Sequence, residues 1–253
     1  MDLKNNFKES LFYPIRSYKN FILLGTLFII LDINSIVFFN NLDSNNLVLS
    51  IFCILDSVIL LILIIGNLIS IIKESALTVN HFDFEWGKKF IIGLKGFLIL
   101  FLGIIIPLIM FIIVVHITGT GEYYSHMLKI GASRLTINLT MVFNVNSFIS
   151  ILINIFIVLF FTYFTIISLA RLSYTNNLKE SINLKNIIKD LKNIGIAHFT
   201  LWILIIFALM VIIGIINDNI YYINYIGMII SSYIILPYVV MFLFKSIGNE
   251  YSI

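Results

Sequence analysis

The sequence predicts an all-α integral membrane protein, a bundle of about six transmembrane helices in a single domain spanning residues 1–253. Three observations predict it. The chain is 60% hydrophobic and only 11% charged, with a mean hydropathy of +1.06. A soluble domain needs about 25% charged residues to cover its surface, so lipid is the solvent for this surplus of Ile, Leu and Phe. The apolar residues form continuous runs as long as a bilayer core requires, about 20 residues of helix. Lys and Arg lie between the runs and segregate to one side.

At the N-terminus, Leu3, Phe7 and Leu11 share a face of a short interfacial helix, which Pro14 is expected to end. The first span is expected over 20–39 and has no small-x-small cleavage site behind it, so it reads as a signal anchor rather than a cleaved leader. Further spans follow over 47–72, 91–117, 147–170, 196–216 and 223–244. Barrel strands would alternate polar and apolar residues; these runs do not, and a helix satisfies every backbone group within lipid. Between the fourth and fifth spans, Leu184, Ile187, Ile188 and Leu191 recur at one-face spacing, roughly extended by Ile194, with Lys185, Lys189 and Lys192 on another face. That is the pattern of a basic amphipathic helix on an anionic leaflet.

Lys4, Lys8, Arg16, Lys19, Lys73, Lys88, Lys89, Lys95, Arg171, Lys179, Lys185, Lys189, Lys192 and Lys245 fall on one side, against Lys129 and Arg134 on the other. Positive residues favour the cytoplasm, so both termini are expected inside the cell membrane. The net charge of +3 is small and spread over short connections, which argues against a nucleic-acid partner. The stretch Asn5-Asn6-Phe7-Lys8-Glu9-Ser10 recurs as Asn176-Asn177-Leu178-Lys179-Glu180-Ser181, with a shorter copy at Lys73-Glu74-Ser75. The repeat suggests three units, each an interfacial segment plus a helical hairpin. In the long external connection 118–146, Leu135 to Phe143 alternate with polar residues, as a strand or a lid-like loop would. Asn138 opens its Asn-x-Thr sequon and is the glycosylation acceptor if the organism modifies surface proteins.

Catalytic signatures are absent from the sequence, and no cofactor or enzymatic activity is expected. Gly119-Thr120-Gly121-Glu122 lacks the Lys of a phosphate loop and reads as a turn. His81-x-Asp83-x-Glu85 puts three ligand types close in sequence, but on a helix their directions diverge. Cys53 is alone, which excludes an intrachain disulfide. The residues that stand out are Asp32 and Asp56, each roughly eight residues from the outer end of its span. An antiparallel hairpin would bring them to one depth as a candidate ion or proton pair; the alternative is that both lie at the outer interface. Lys95 is expected to snorkel, His116 and His198 to sit at the interface, and Pro107 and Pro237 to kink their spans.

Gly66-Asn67-Leu68, the run Phe82-Asp83-Phe84-Glu85-Trp86-Gly87-Lys88-Lys89 into Gly93-Leu94-Lys95, Pro107, and Ser168-Leu169-Ala170-Arg171 together resemble an uncharacterised archaeal family of polytopic membrane proteins, a domain of unknown function of the DUF4013 type. The resemblance implies a six-span fold, with Trp86, Gly93 and Lys95 forming a structural interfacial turn. It carries over no catalytic or binding residue. Two roles remain: an accessory membrane protein binding lipid or partners through its basic cytoplasmic face, or a small transporter using Asp32 and Asp56. The partners expected are the anionic inner leaflet, and a membrane protein or a second copy of the chain.

Overall fold

The computed structural model describes residues 2–43, 47–77, 85–121, 124–125 and 145–251. The fold is all-α: 94% helical, with no strand among the described residues. In chain order the helices are α1 (Leu3–Arg16), α2 (Tyr18–Asp43), α3 (Leu47–Leu77), α4 (Trp86–Thr118), α5 (Val145–Thr175), α6 (Leu178–Ser181), α7 (Leu184–Ile194), α8 (Ile196–Tyr221), α9 (Asn224–Ile230) and α10 (Leu236–Tyr251). A π turn, Ser231–Ile235, joins α9 to α10 in one continuous rod.

Among the described residues six helices are long and apolar enough to cross a membrane: Tyr18–Asn40, Val48–Ser75, Trp86–Thr118, Val145–Thr175, Ile196–Tyr221 and Tyr225–Tyr251. They coincide with the six expected spans and run past several of their ends. Their outward surface is apolar: Ile104 is 65% exposed, Phe156 70% and Phe207 67%. Exposure on that scale in water would be an aggregation liability, so the exposed Ile and Phe fit a lipid-facing surface.

The chain forms two compact units, Met1–Leu98 with Ile167–Ile253, and Ile99–Ile166. In the first unit α3 packs on α2 and α10, and α10 also packs on α1. Leu24, Ile69, Ile72, Phe199, Trp202 and Met241 are fully buried there. The helices approach closely where glycines remove side chains. A Cβ on Gly25 would lie 2.8 Å from the Tyr233 carbonyl oxygen, and one on Gly248 would lie 2.6 Å from that of Ile72. With no hydrophobic drive between helices in lipid, small residues at crossings supply the van der Waals contact that holds them together.

In the second unit the α4 and α5 segments meet at Gly103 and Thr165, where a Cβ on Gly103 would lie 2.1 Å from Thr165 Oγ1. A polar network closes one end of that unit. Tyr124 Oη and Ser150 Oγ lie 3.2 Å apart, and Asn154 Nδ2 donates to Tyr124 Oη at 3.1 Å. His81 and Asp83, the alternating stretch 134–143 and Asn138 lie outside the described residues.

One local expectation is corrected. Pro14 does not end α1, which continues to Arg16. The proline sits in the last turn, so its missing N–H costs one ladder bond, and Ser17 N–H still donates to Tyr13 O at 2.9 Å. The face of α1 that is buried carries Asn6, Ser10, Tyr13 and Pro14, while Leu11 is 47% exposed.

Candidate functional site at the C-terminal turns of α10

The last turns of α10 gather the first unit's amphipathic and terminal segments. Ser246, Asn249 and Glu250 lie at i, i+3 and i+4, one helix face, and all three are buried. They meet a matching polar stripe on α1. Asn6 Nδ2 donates to Glu250 Oε1 at 2.6 Å and to the Ser246 carbonyl at 3.2 Å. Ser10 Oγ donates to Asn6 Oδ1 at 3.0 Å, and Asn249 Nδ2 donates to the same oxygen at 3.2 Å. The other Glu250 oxygen lies 2.9 Å from His198 Nε2, and Trp202 Nε1 donates to Ser246 Oγ at 2.8 Å, both from the start of α8. Glu250 is fully buried, so Asn6 and His198 offset the loss of water around its carboxylate.

Tyr251, the next residue, reaches α7. Its hydroxyl donates to Asp190 Oδ2 at 2.5 Å, and Arg171 Nη1 holds the same oxygen at 2.6 Å. The Arg171 and Asp190 side chains are only 16% and 15% exposed, so this pair is a part-buried clamp rather than a surface ion pair. On the α1 side, Tyr13 Oη donates to Glu74 Oε2 at 2.6 Å, and Lys245 Nζ sits 5.1 Å from the Tyr13 ring centre. Burial, and then the Glu74 carboxylate, push the Tyr13 phenol well above its ordinary range, so it stays protonated as the donor.

These clamps fix which surfaces α1 and α7 turn outward. α7 is capped by Asn183, whose Oδ1 accepts from Lys185 N–H at 3.0 Å, and it ends at Gly195 with φ +93°, the left-handed position glycine favours. Its wheel has three sectors. Ile187 is buried on the side that carries Asp190. Leu184 and Ile188 are 51% and 49% exposed on the next sector, and Lys185, Lys189 and Lys192 are exposed beyond them. α1 is built the same way: Leu11, Phe12 and Ile15 are exposed among exposed Lys4, Lys8 and Arg16. α1 buries Asn6, Ser10 and Tyr13 and α7 buries Ile187, and both leave apolar and basic side chains uncovered.

Trp86, Gly93 and Lys95 do not form a turn; all three lie within the single helix α4. Gly93 serves a helix crossing. A Cβ on Gly93 would lie 2.0 Å from the Ile62 carbonyl oxygen, and one on Gly66 would lie 2.0 Å from that of Lys89. The two glycines thus let the backbones of α3 and α4 touch. Beside them Lys89 Nζ donates to Asn67 Oδ1 at 2.7 Å. Lys95 Nζ donates to the Asn176 carbonyl at 2.6 Å, just past the end of α5, where Asn176 adopts φ +51°.

Asp32 and Asp56 each have a separate partner. Ser232 Oγ donates to Asp32 Oδ2 from the π turn, and Asn34 Nδ2 donates to Asp56 Oδ2. Asp32 and Gly25, seven residues apart, share the face of α2 that meets the π turn. Asn34 points to α3. The sequence reading named none of Asn6, Ser246, Asn249, Glu250 or Tyr251 as site residues. The signal for them was present as paired polar stripes at i, i+3 and i+4 on two segments at opposite ends of the chain.

A family model described as "Protein of unknown function (DUF4013)" matches residues 48–217, more than half of the chain. That interval contains Gly66, Asn67, Gly93, Lys95, Arg171 and α7. No curated protein and no solved structure matches the chain.

Proposed function

We propose that this chain, which belongs to the DUF4013 family of proteins of unknown function, is a non-catalytic, multi-pass protein of the cell membrane that binds anionic lipid through α1 and α7. The observation that carries the reading is what those helices leave uncovered. α1 turns Asn6 and Ser10 to the protein and α7 turns Ile187 and Asp190, while Leu11, Phe12, Ile15, Leu184 and Ile188 stand exposed beside six exposed Lys and Arg side chains. Water would not favour that surface. The boundary between headgroups and acyl chains does, because apolar side chains enter the acyl region and the basic ones meet phosphate. Each Lys or Arg near an anionic leaflet adds about 1 kcal/mol.

The experiment is lipid retention on the purified full chain. Presented with equal phosphatidylglycerol and phosphatidylcholine, the protein is expected to retain the anionic lipid. Lys185→Gln, Lys189→Gln and Lys192→Gln together should weaken that preference roughly a hundredfold, about 1 kcal/mol per charge removed. An unchanged preference in the triple variant would refute the reading.

The same reading puts both termini, α1 and α7 in the cytoplasm, supported by the segregation of Lys and Arg. In a Cys53→Ser background, Lys189→Cys should react with an impermeant maleimide only after the membrane is opened. Tyr222→Cys, 84% exposed, should react in intact cells. The reverse pattern would overturn the orientation.

A further inference from the structure

We propose that Asp32 anchors a monovalent-cation site deep in the long helices, completed by side-chain oxygens of Ser232, Ser231 and Asn217. Asp32 lies 13 residues beyond Lys19 along α2, about 20 Å at the helical rise. It is partly buried, and among the described residues no Lys, Arg or His pairs with it. Among the described residues the donor to it is the Ser232 hydroxyl. A carboxylate in a lipid-spanning helix is costly, and one neutral hydroxyl does not offset that cost; a bound positive charge does.

The surroundings supply the remaining ligands. Ser231 Oγ, adjacent in the π turn, donates to Asn217 Oδ1 at 2.8 Å on α8. The π turn thus carries two neighbouring hydroxyls, one on the Asp32 carboxylate of α2 and one on the Asn217 amide carbonyl of α8. This is an all-oxygen set, hard in character, with a single negative charge, which suits Na+ or K+ rather than a transition metal. Each serine hydroxyl has two lone pairs beside its proton and turns them inward when a cation arrives.

The π turn explains why the hydroxyls are available at this level. Pro237 lacks the N–H that would bond the Tyr233 carbonyl, and the helix widens over Ser231–Ile235 just ahead of it. Such turns recur at functional sites. Gly25 lets α2 approach this turn closely, with Tyr233 only 2.8 Å from where its Cβ would be. The titratable neighbour facing Asp32 is Tyr221 of α8, with Tyr222 beside it. On the α3 side Asp56 is held separately by Asn34. The proposal is independent of lipid binding by α1 and α7.

The test is thermal unfolding of the purified full chain in lipid nanodiscs, at constant ionic strength, in NaCl, KCl or choline chloride. At about pH 8, Na+ or K+ should raise Tm over choline, by roughly 4 °C per tenfold increase in cation above its Kd. Asp32→Asn should lose the response, Ser232→Ala should need at least about tenfold more cation, and Asp56→Asn should respond as the unaltered chain does. If Asp32→Asn does not fold, Ser232→Ala and direct binding of radioactive sodium to the unaltered chain decide. Stabilisation by acid alone with no cation-specific response at pH 8 would overturn the proposal in favour of a protonated carboxyl. A cation response that persists in Asp32→Asn or is unaltered in Ser232→Ala would overturn it outright.

Discussion

Gly93→Leu is expected to separate α3 from α4 and leave a chain that does not survive purification as a monodisperse species. The new Cβ alone would lie 2.0 Å from the Ile62 carbonyl oxygen and 3.0 Å from the Gly66 backbone nitrogen. Backbone atoms cannot swing aside as a side-chain tip does, so the helices must move apart. That movement also pulls Lys89 from Asn67, a 2.7 Å bond, and Gly96 from Ile69, whose Cδ1 lies 2.3 Å from a Cβ built there. Overpacking a tight core costs about 1–3 kcal/mol when side chains can adjust; here backbone is the obstacle, and the cost lies at or above the top of that range. Gly66→Leu should behave alike, against the Lys89 carbonyl. Gly87→Ala is the control, since nothing lies within 4 Å of its Cβ position. Size-exclusion profiles and Tm in one detergent measure the series. A folded Gly93→Leu chain within a degree or two of the parent would contradict the crossing.

The second large effect is expected at Glu250. Glu250→Ala removes the acceptor for Asn6 Nδ2 at 2.6 Å and the partner of His198 Nε2 at 2.9 Å, all at a site with no exposed surface on the glutamate. Removing the acceptor of a buried donor costs about 1–3 kcal/mol, because Asn6 stays buried without its shortest hydrogen bond. The loss falls mainly on the docking of α1, so α1 amides should exchange hydrogen faster and the Lys4 and Lys8 peptide bonds should become open to trypsin while the long helices stay protected. Asn6→Leu should reproduce the release from the other side. Glu250→Gln keeps an oxygen for Asn6 and is expected to be milder. Unaltered exchange across residues 3–16 in Glu250→Ala would show that the polar stripe does not hold α1.

The six long helices were legible because lipid imposes length and composition so strictly that few other readings survive. The orientation of α1 was not. Apolar spacing puts Leu3, Phe7 and Leu11 on one face of an interfacial helix but does not say which residues meet the protein; the buried stripe is Asn6, Ser10 and Tyr13. Gly93 was legible as a residue of consequence, but glycine suggests a turn in water and a close crossing in a long apolar helix. For Asp32 and Asp56, sequence gives depth by counting residues but not rotation about the helix. The face of α2 that carries Asp32 is fixed by Gly25 against Tyr233, and the partner Ser232 is 200 residues away. α7 was read correctly as an amphipathic helix with its basic residues to one side. Its third sector, the one that Asp190 ties to Arg171 and Tyr251, required the fold.

The most direct test of lipid binding by the basic helices is the depth of α7 in a bilayer. Nitroxide labels at Ile188→Cys and Asn193→Cys, in a Cys53→Ser background, would be read by their collision with oxygen and with a water-soluble nickel complex in vesicles containing phosphatidylglycerol. Ile188, on the exposed apolar sector, should collide with oxygen and be shielded from nickel, at about 5–10 Å below the headgroups, while Asn193 collides freely with nickel. Equal nickel access at the two positions would mean that α7 lies in water, and that its uncovered apolar sector is not a lipid-binding face.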